Sequence, residues 1–241
     1  MMKTKRSQIK AGQARGFSLI ELMVAMTLTL VITGVAATLL ARTMNLRTRT
    51  NANADALADA QRALNIMSRE IANAGFNLSE NGIVAGDSIT DSRGNSTLRI
   101  RANLNKFHLG ASTNAQAGIG TAVEDAGEDV KFLLYAEDNT NLLARFDAYA
   151  VAGGKSTVLA NRLDSLHVHY YSQKVTYGTS GCDITIASSS EVNPQAATYV
   201  VLAVCVHLDA VGKLNGPGYQ PPTSVLLVSD VALRNSNLPL Y

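Results

Sequence analysis

The feature that most constrains this chain is one apolar stretch near its N-terminus. Residues 17–41 carry a single charged side chain, Glu21. As a helix, this stretch would extend over roughly 37 Å, which is enough to cross the hydrocarbon core of a bilayer with some tilt. We therefore predict a transmembrane helix over residues 17–41.

Glu21 is unusual in a helix of this kind. Holding a carboxylate in lipid costs on the order of 2–3 kcal/mol, so an acidic residue within a membrane helix indicates a functional role. No Lys, Arg or His occurs between residues 17 and 41. The counter-charge of Glu21 must therefore come from a chain terminus or from another chain.

The segment before the apolar stretch is basic. Residues 1–16 contain five Lys or Arg and no acid, and the positive-inside rule keeps such a flank in the cytoplasm. We expect a single-pass protein with a cytoplasmic N-terminus and a periplasmic head. An ordinary secretory signal has a shorter apolar core followed by a small-residue cleavage site, whereas here the small residue, Gly16, precedes the apolar core.

Residues 15–22, with the sequence RGFSLIEL, resemble the class III signal of type IV pilins and type II secretion pseudopilins. In that family a membrane prepilin peptidase cuts after the Gly and methylates the new N-terminus, and the Glu pairs with the terminal amine of a neighbouring subunit. The resemblance implies that leader 1–16 is removed, that the cut falls between Gly16 and Phe17, that Phe17 is N-methylated, and that Glu21 acts in assembly. A plain signal-anchor helix, with Glu21 reaching the headgroups, is the alternative, and it leaves the spacing of these three residues unexplained.

The helix is predicted to continue beyond the apolar stretch with a different character. Within residues 42–75, six apolar positions recur at spacings of 3 and 4, which is typical of one buried helix face: Leu57, Ala60, Leu64, Met67, Ile71 and Ala74. Gly75 is a suitable C-cap. We predict one helix over residues 17–74, roughly 87 Å long, whose amphipathic half packs on the following domain.

Residues 76–241 are predicted to form a β-rich head. The apolar and alternating runs predict strands at residues 97–104, 131–136, 143–151, 157–160, 165–172, 197–208 and 225–233, with polar loops at 111–127 and 177–196. The resulting fold class is α+β, with a long N-terminal helix packed on an antiparallel β-rich head, and it is similar to the pilin fold.

A narrower resemblance involves the later blocks. Residues 61–76, 158–160 with 163–170, 201–208 and 231–235 resemble the corresponding blocks of PilW-type minor pilins. This resemblance implies a subunit that waits in the inner membrane and joins other minor and major pilins in a priming complex at the pilus tip, at the cell surface, where it presents a tip adhesin. Pseudopilin J of type II secretion systems shares much of the pattern and is an alternative. A head that binds DNA or a glycan is an alternative of another class.

The two cysteines, Cys182 and Cys205, both lie on the exported side in this orientation. An even cysteine count in an oxidising compartment favours a disulfide. Two buried free thiols remain the alternative, because the sequence does not give the distance between them.

The sequence contains no catalytic motif. G-x-S-x-G, H-E-x-x-H and the P-loop are all absent, so we expect neither an enzyme nor a cofactor. His167 and His169 would share one strand face, but without a third ligand we expect a surface pair and no metal. His108 and His207 have no evident partners.

We expect no calcium or nucleic-acid site at the charged clusters outside the leader. The acidic groups at 124–129 and 138–141 do not match an EF-hand loop, so we expect solvated loops in place of calcium sites. Without the leader the chain has 16 basic and 19 acidic side chains, a formal charge of −3, and no Trp. Arg99 and Arg101 share a strand face, but these scattered cations do not form a nucleic-acid site.

Overall fold

The structure, a computed structural model, describes residues 16–104, 123, 125–137, 140–186, 190–216 and 219–235. The chain divides into two compact units, residues 1–47 and 48–241. One long helix, α1 (Leu19–Asn73), contributes residues to both units. The predicted boundaries of the leader, the apolar half and the head stay predictions.

Helix α1 begins two residues after the predicted start and ends one residue before the predicted end. Its interior contains no Pro, and Gly34 is its one Gly, so no residue breaks the hydrogen-bond ladder. Gly75 lies just beyond the helix at φ +76°, where a Cβ would approach the Glu80 carbonyl oxygen to 2.7 Å. The helix therefore ends at the predicted glycine, because only glycine fits this left-handed turn.

Nine strands follow the helix in the described residues, together with short 3₁₀ helices at Ala85–Asp87 and Pro194–Ala196. The first antiparallel sheet has the order β1-β2-β3-β4, with β1 at Leu98–Arg101, β2 at Asp129–Glu137, β3 at Thr140–Asp147 and β4 at Lys155–Ala160. The second has the order β5-β8-β9, with β5 at Leu163–Tyr171, β8 at Tyr199–Leu208 and β9 at Thr223–Ala232. Strands β6 (Tyr177–Ser180) and β7 (Asp183–Ile186) form a separate hairpin. This arrangement confirms the α+β architecture with an antiparallel β-rich region.

The predicted apolar face of α1 forms part of the main core. Ala60, Leu64, Met67 and Ile71 are buried there against both sheets, together with Phe132 of β2. These positions recur every three or four residues, so one stripe of the helix faces the sheets. The C-terminal half of the helix is thereby fixed to the head.

Strand β8 is buried on both faces. Val200, Leu202, Val204 and Val206 face the core that contains α1, whereas Tyr199, Val201 and Ala203 belong to a second apolar cluster with Tyr171 and Ile184. Side chains alternate along a strand, so a strand covered on both sides reads as a continuous apolar run. The β6–β7 hairpin provides part of the cover on the second face.

The structure corrects one predicted loop and the bounds of two predicted strands, since β3 is Thr140–Asp147 where residues 143–151 were predicted. Residues 177–196 were predicted as a polar loop, but they contain the β6–β7 hairpin, whose turn has Gly181 at φ +61°. Four-residue strands containing Gly, Thr and Ser give a weak pattern, and the hairpin is stabilised by the apolar cluster beneath it. Strand β1 has four residues where residues 97–104 were predicted. Most of the predicted loop 111–127 lies outside the described residues.

Candidate functional site

The start of α1 brings together the three residues of the N-terminal motif. Ser18 is the N-cap, since its carbonyl accepts the Leu22 N–H at 3.1 Å as the first helical bond. Glu21 lies in the first turn, and its Oε2 accepts the Ser18 backbone N–H at 3.3 Å. This contact is the acidic half of a capping box, which the spacing S-x-x-E signals in sequence. This backbone partner of Glu21 was not predicted from the sequence.

The motif residues are accessible. Gly16 and Phe17 precede the helix, Phe17 is 87% exposed, and nothing lies within 4 Å of a Cβ built on Gly16. All of residues 16–45 are exposed. The predicted cut between Gly16 and Phe17 therefore falls on a segment that a peptidase can reach, although residues 1–15 lie outside the described residues.

Helix α1 satisfies its own threonine hydroxyls along the apolar half. Thr27, Thr33, Thr38 and Thr43 donate to carbonyls three or four residues earlier, at 2.7–2.9 Å, and Thr29 donates to the Ala25 carbonyl. These bonds remove the need for water at each hydroxyl. Among residues 17–41, Glu21 is thus the one ionisable side chain, and the threonine hydroxyls around the helix are bonded within it. By length and composition, α1 is also the one described helix able to cross a membrane.

The second polar cluster lies on the outer face of β5. His167 and His169 share this face, and their ring centroids are 6.3 Å apart. Nε2 of His169 lies 2.8 Å from Asp183 Oδ1, and its Nδ1 lies 2.6 Å from Glu191 Oε1. His167 Nδ1 is 3.9 Å from the other oxygen of Asp183. The hairpin and the segment after it therefore supply the acidic partners that the sequence did not reveal.

Burial and charge act in opposite directions on the pKa of His169. Burial by itself lowers the pKa, but the hydrogen bonds that the imidazole donates to Glu191 and Asp183 raise it more, so the net pKa lies above the ordinary value of 6.5. Opposite charges at hydrogen-bond distance favour the protonated imidazole.

The disulfide lies beside this cluster. Cys182 in the turn of the β6–β7 hairpin is bonded to Cys205 of β8, so the pairing favoured by the cysteine count is present. Cys205 is fully buried. The bond attaches the hairpin to the strand that it covers.

The acidic group at 128–129 is not a solvated loop, which corrects the prediction for these residues. Glu128 and Asp129 are each 2% exposed, and Glu128 accepts the backbone N–H groups of Leu104 and Asp125. Arg99 donates to Asp129 at 2.7 Å and Arg101 at 2.9 Å. Burial raises the pKa of Asp129, but the two guanidinium groups outweigh it and the net pKa is lowered.

The same ion pairs neutralise the cations of the strand face that contains Arg99 and Arg101. Arg99 also pairs with Asp87, and Lys131 lies 3.3 Å from Asp87. The two arginines predicted on one strand face are therefore neutralised by carboxylates of the head. His207 has partners as well, since it lies 3.5 Å from Asp164 and 3.7 Å from Asp209, contrary to the prediction. His108 and residues 138–139 lie outside the described residues.

Comparison with known families agrees with the geometry at the start of α1. Residues 12–37 match the prokaryotic N-terminal methylation motif, a range that contains Gly16, Phe17, Ser18 and Glu21. Neither the curated proteins nor the solved structures give a match. The motif implies processing by a prepilin peptidase and pilin partners, and with the apolar helix it indicates membrane anchoring. The motif, the exposed apolar helix and the β-rich head together support a pilin-like or pseudopilin-like role.

Proposed function

We propose that this chain is a non-catalytic subunit of a type IV pilus, a minor pilin of the PilW type. In this proposal it is held in the inner membrane with its head in the periplasm, processed after Gly16, and assembled into the priming complex at the filament tip. The observation that carries the proposal is the methylation motif placed at the start of an exposed apolar helix whose one charge is Glu21.

The surface of the apolar half suits both stages of this proposal. Its large side chains are exposed, and its threonine hydroxyls are bonded within the helix. Such a surface is stable among lipid chains and can pack equally well against the same helix of other subunits. Transfer from membrane to filament then requires no new polar partners except one for Glu21.

Glu21 supplies the specific interaction. The 3.3 Å contact with the Ser18 N–H is long and comes from a neutral donor, so it provides no counter-charge for the carboxylate. Cleavage after Gly16 would create a cationic amine on Phe17, and a neighbouring subunit would bring that amine to Glu21 in a medium of low dielectric. Opposite charges attract much more strongly there than in water, so the pair would fix the axial position of each new subunit.

Pseudopilin J of a type II secretion system remains the second candidate, because the methylation motif fits it equally. Deletion of the gene distinguishes the two: loss of twitching supports the pilus, and loss of exoprotein release supports secretion. A DNA-binding head receives less support, since Arg99 and Arg101 are paired with acids of the described head.

The test compares Glu21→Gln, Ser18→Ala and Gly16→Val by mass spectrometry of the mature chain and by its amount in sheared filaments. Gln keeps the capping contact but removes the charge, so E21Q should begin at a methylated Phe17 yet be missing from filaments. S18A keeps the charge and should be incorporated. G16V should keep its leader.

Two outcomes would refute the proposal. If E21Q enters filaments as well as the unchanged chain, the role of Glu21 is to cap the helix and the assembly pair is wrong. If the native protein retains residues 1–16, the processing step and the filament role fail together.

A further inference from the structure

His169 lies between two carboxylates that belong to two different segments of the head. Its Nε2 is 2.8 Å from Asp183, the first residue of β7, and its Nδ1 is 2.6 Å from Glu191, in the segment after the β6–β7 hairpin. We propose that these three residues form a proton-operated latch, in which uptake of one proton holds both segments on the outer face of β5 and loss of that proton releases one of them. The filament role does not use this cluster.

The two contacts of His169 require one proton more than a neutral imidazole provides. A neutral ring has an N–H on one nitrogen and a lone pair on the other, and an ionised carboxylate can only accept. One of the contacts, at 2.6 or 2.8 Å, would then set a lone pair against a carboxylate oxygen. With one added proton in the cluster, both contacts become hydrogen bonds.

Other contacts of the same two segments do not depend on this proton. The Val192 N–H donates to the Tyr170 carbonyl at 2.9 Å, which attaches the Glu191 segment to β5. The hairpin packs through Ile184 on the second apolar cluster and is bonded to β8 through Cys182. Release at His169 therefore loosens a segment without detaching it, and the rest of the head stays folded.

His167 is the neighbour whose titration must be separated from that of His169. The two rings share the outer face of β5 with centroids 6.3 Å apart, and His167 Nδ1 is 3.9 Å from Asp183. Tyr171 follows on the same face, but burial raises its pKa to about 12. It therefore stays neutral over the range in which an imidazole titrates.

The strands beside β5 bring no further group that titrates in this range. On this face β8 contributes Val201 and Ala203, which do not titrate. Tyr177 of β6 and Tyr199 of β8 belong to the same apolar cluster, and burial raises the pKa of both hydroxyls above 10. Asp230 of β9 is bonded to the Tyr199 hydroxyl.

The pKa of His169 sets the direction of the response. Because the net pKa lies above 6.5, the stabilisation by the latch is complete below pH 6.5 and is lost as the pH rises through the folded-state pKa. The side chains of His169, Asp183 and Glu191 are 15%, 39% and 51% exposed, so solvent screens the pairs. We expect the opening equilibrium to change by about tenfold, at the low end for a charge-assisted hydrogen bond.

The experiment measures hydrogen–deuterium exchange of the full chain in detergent, corrected for the intrinsic pH dependence of amide exchange. The pH is varied from about 5.5 to about 9, which begins below the ordinary pKa of imidazole and ends well above it. Peptides from residues 177–186 or 190–196 should exchange about tenfold faster at the alkaline end. Peptides from β2 should show no such change.

Glu191→Gln distinguishes the latch from a general effect of pH. The Gln amide can donate to the lone pair on Nδ1 while the Nε2–H donates to Asp183, so a neutral imidazole satisfies both contacts. E191Q should therefore exchange slowly at both ends of the pH range. His169→Ala, which removes both contacts, should exchange fast at both.

His167→Ala and His207→Ala are the matched controls. His207 is half-exposed and lies near two acids of another cluster, so both variants should keep the pH response of the unchanged chain. The proposal is overturned if the unchanged chain exchanges equally at both ends of the range, if E191Q keeps the response, or if either control loses it. None of these results bears on filament assembly, so the two proposals fail separately.

Discussion

Removing the disulfide should cost the head a calculable amount of stability. Cys182 and Cys205 are separated by 23 residues, and the chain-entropy model gives about 3.4 kcal/mol at 25 °C for a crosslink that closes such a loop. Cys182→Ala loses that contribution and little else, because the residue lies in a half-buried hairpin turn. We therefore expect the free energy of unfolding to fall by about 3.4 kcal/mol.

Cys205→Ala should cost more than Cys182→Ala. Cys205 is fully buried, and by the alternation along β8 it lies on the same face as Val201 and Ala203, so truncation also removes packed volume worth about 1 kcal/mol. The double variant should lose about 4.5 kcal/mol, close to C205A alone, since one crosslink can be lost only once. This lack of additivity is the signature of the bond.

The assay is urea unfolding of the full chain in non-ionic detergent, followed by tyrosine near-ultraviolet circular dichroism. Reduction of the unchanged chain should reproduce C182A, and reduction of C182A should change nothing. The loop-closure reasoning would be refuted if the losses in unfolding free energy of C182A and C205A added up to that of the double variant. It would also be refuted if C182A lost less than about 1 kcal/mol of unfolding free energy.

Two further variants test other contacts of the head. Arg145 lies 2.9 Å from Glu70 and 3.2 Å from Asp147, both largely buried, so Arg145→Met should cost about 3–5 kcal/mol at neutral pH. The loss arises because Glu70 is left without its guanidinium partner and Asp147 keeps neutral backbone N–H donors in place of the cation. Burial already raises the pKa of Glu70 above 4.5. The contribution of Glu70 to stability is therefore full below pH 4.5 and is lost as the pH rises through its folded-state pKa. R145M should lose less stability at acidic than at neutral pH, and an equal loss by urea unfolding under both conditions would contradict this. Gly82 and Gly94 both have φ near +80°, but a Cβ on Gly82 would lie 2.1 Å from a backbone atom, whereas nothing lies within 4 Å of a Cβ on Gly94. Gly94→Ala should lower the free energy of unfolding only by the left-handed strain, about 1–2 kcal/mol, and Gly82→Ala should lower the thermal midpoint much more than Gly94→Ala does. Equal shifts of the midpoint would show that the backbone moves to relieve the contact at Gly82.

Long, periodic segments of this chain were predictable because their signals are local. The apolar stretch at 17–41 and the stripe through Leu64, Met67 and Ile71 follow from one helix and its spacing of 3.6 residues. Gly75 ends that helix by its own conformational freedom. The N-terminal motif is equally local, since Ser18 and Glu21 lie within one turn. The capping contact between them was also available from the sequence, as S-x-x-E.

In the head, the contacts that could not be predicted join residues that lie far apart in the sequence. Local patterns were sufficient to predict the helix, the strand-forming runs and the residues of the N-terminal motif, because each depends on neighbours within a few positions. Contacts between distant segments were not predictable in this way: the β6–β7 hairpin covers β8 and brings Asp183 and Glu191 to His169, and Asp129 neutralises two arginines 28 and 30 residues away. Those contacts depend on strand register and on which face of a sheet is covered, and both are set by the packing of the whole core.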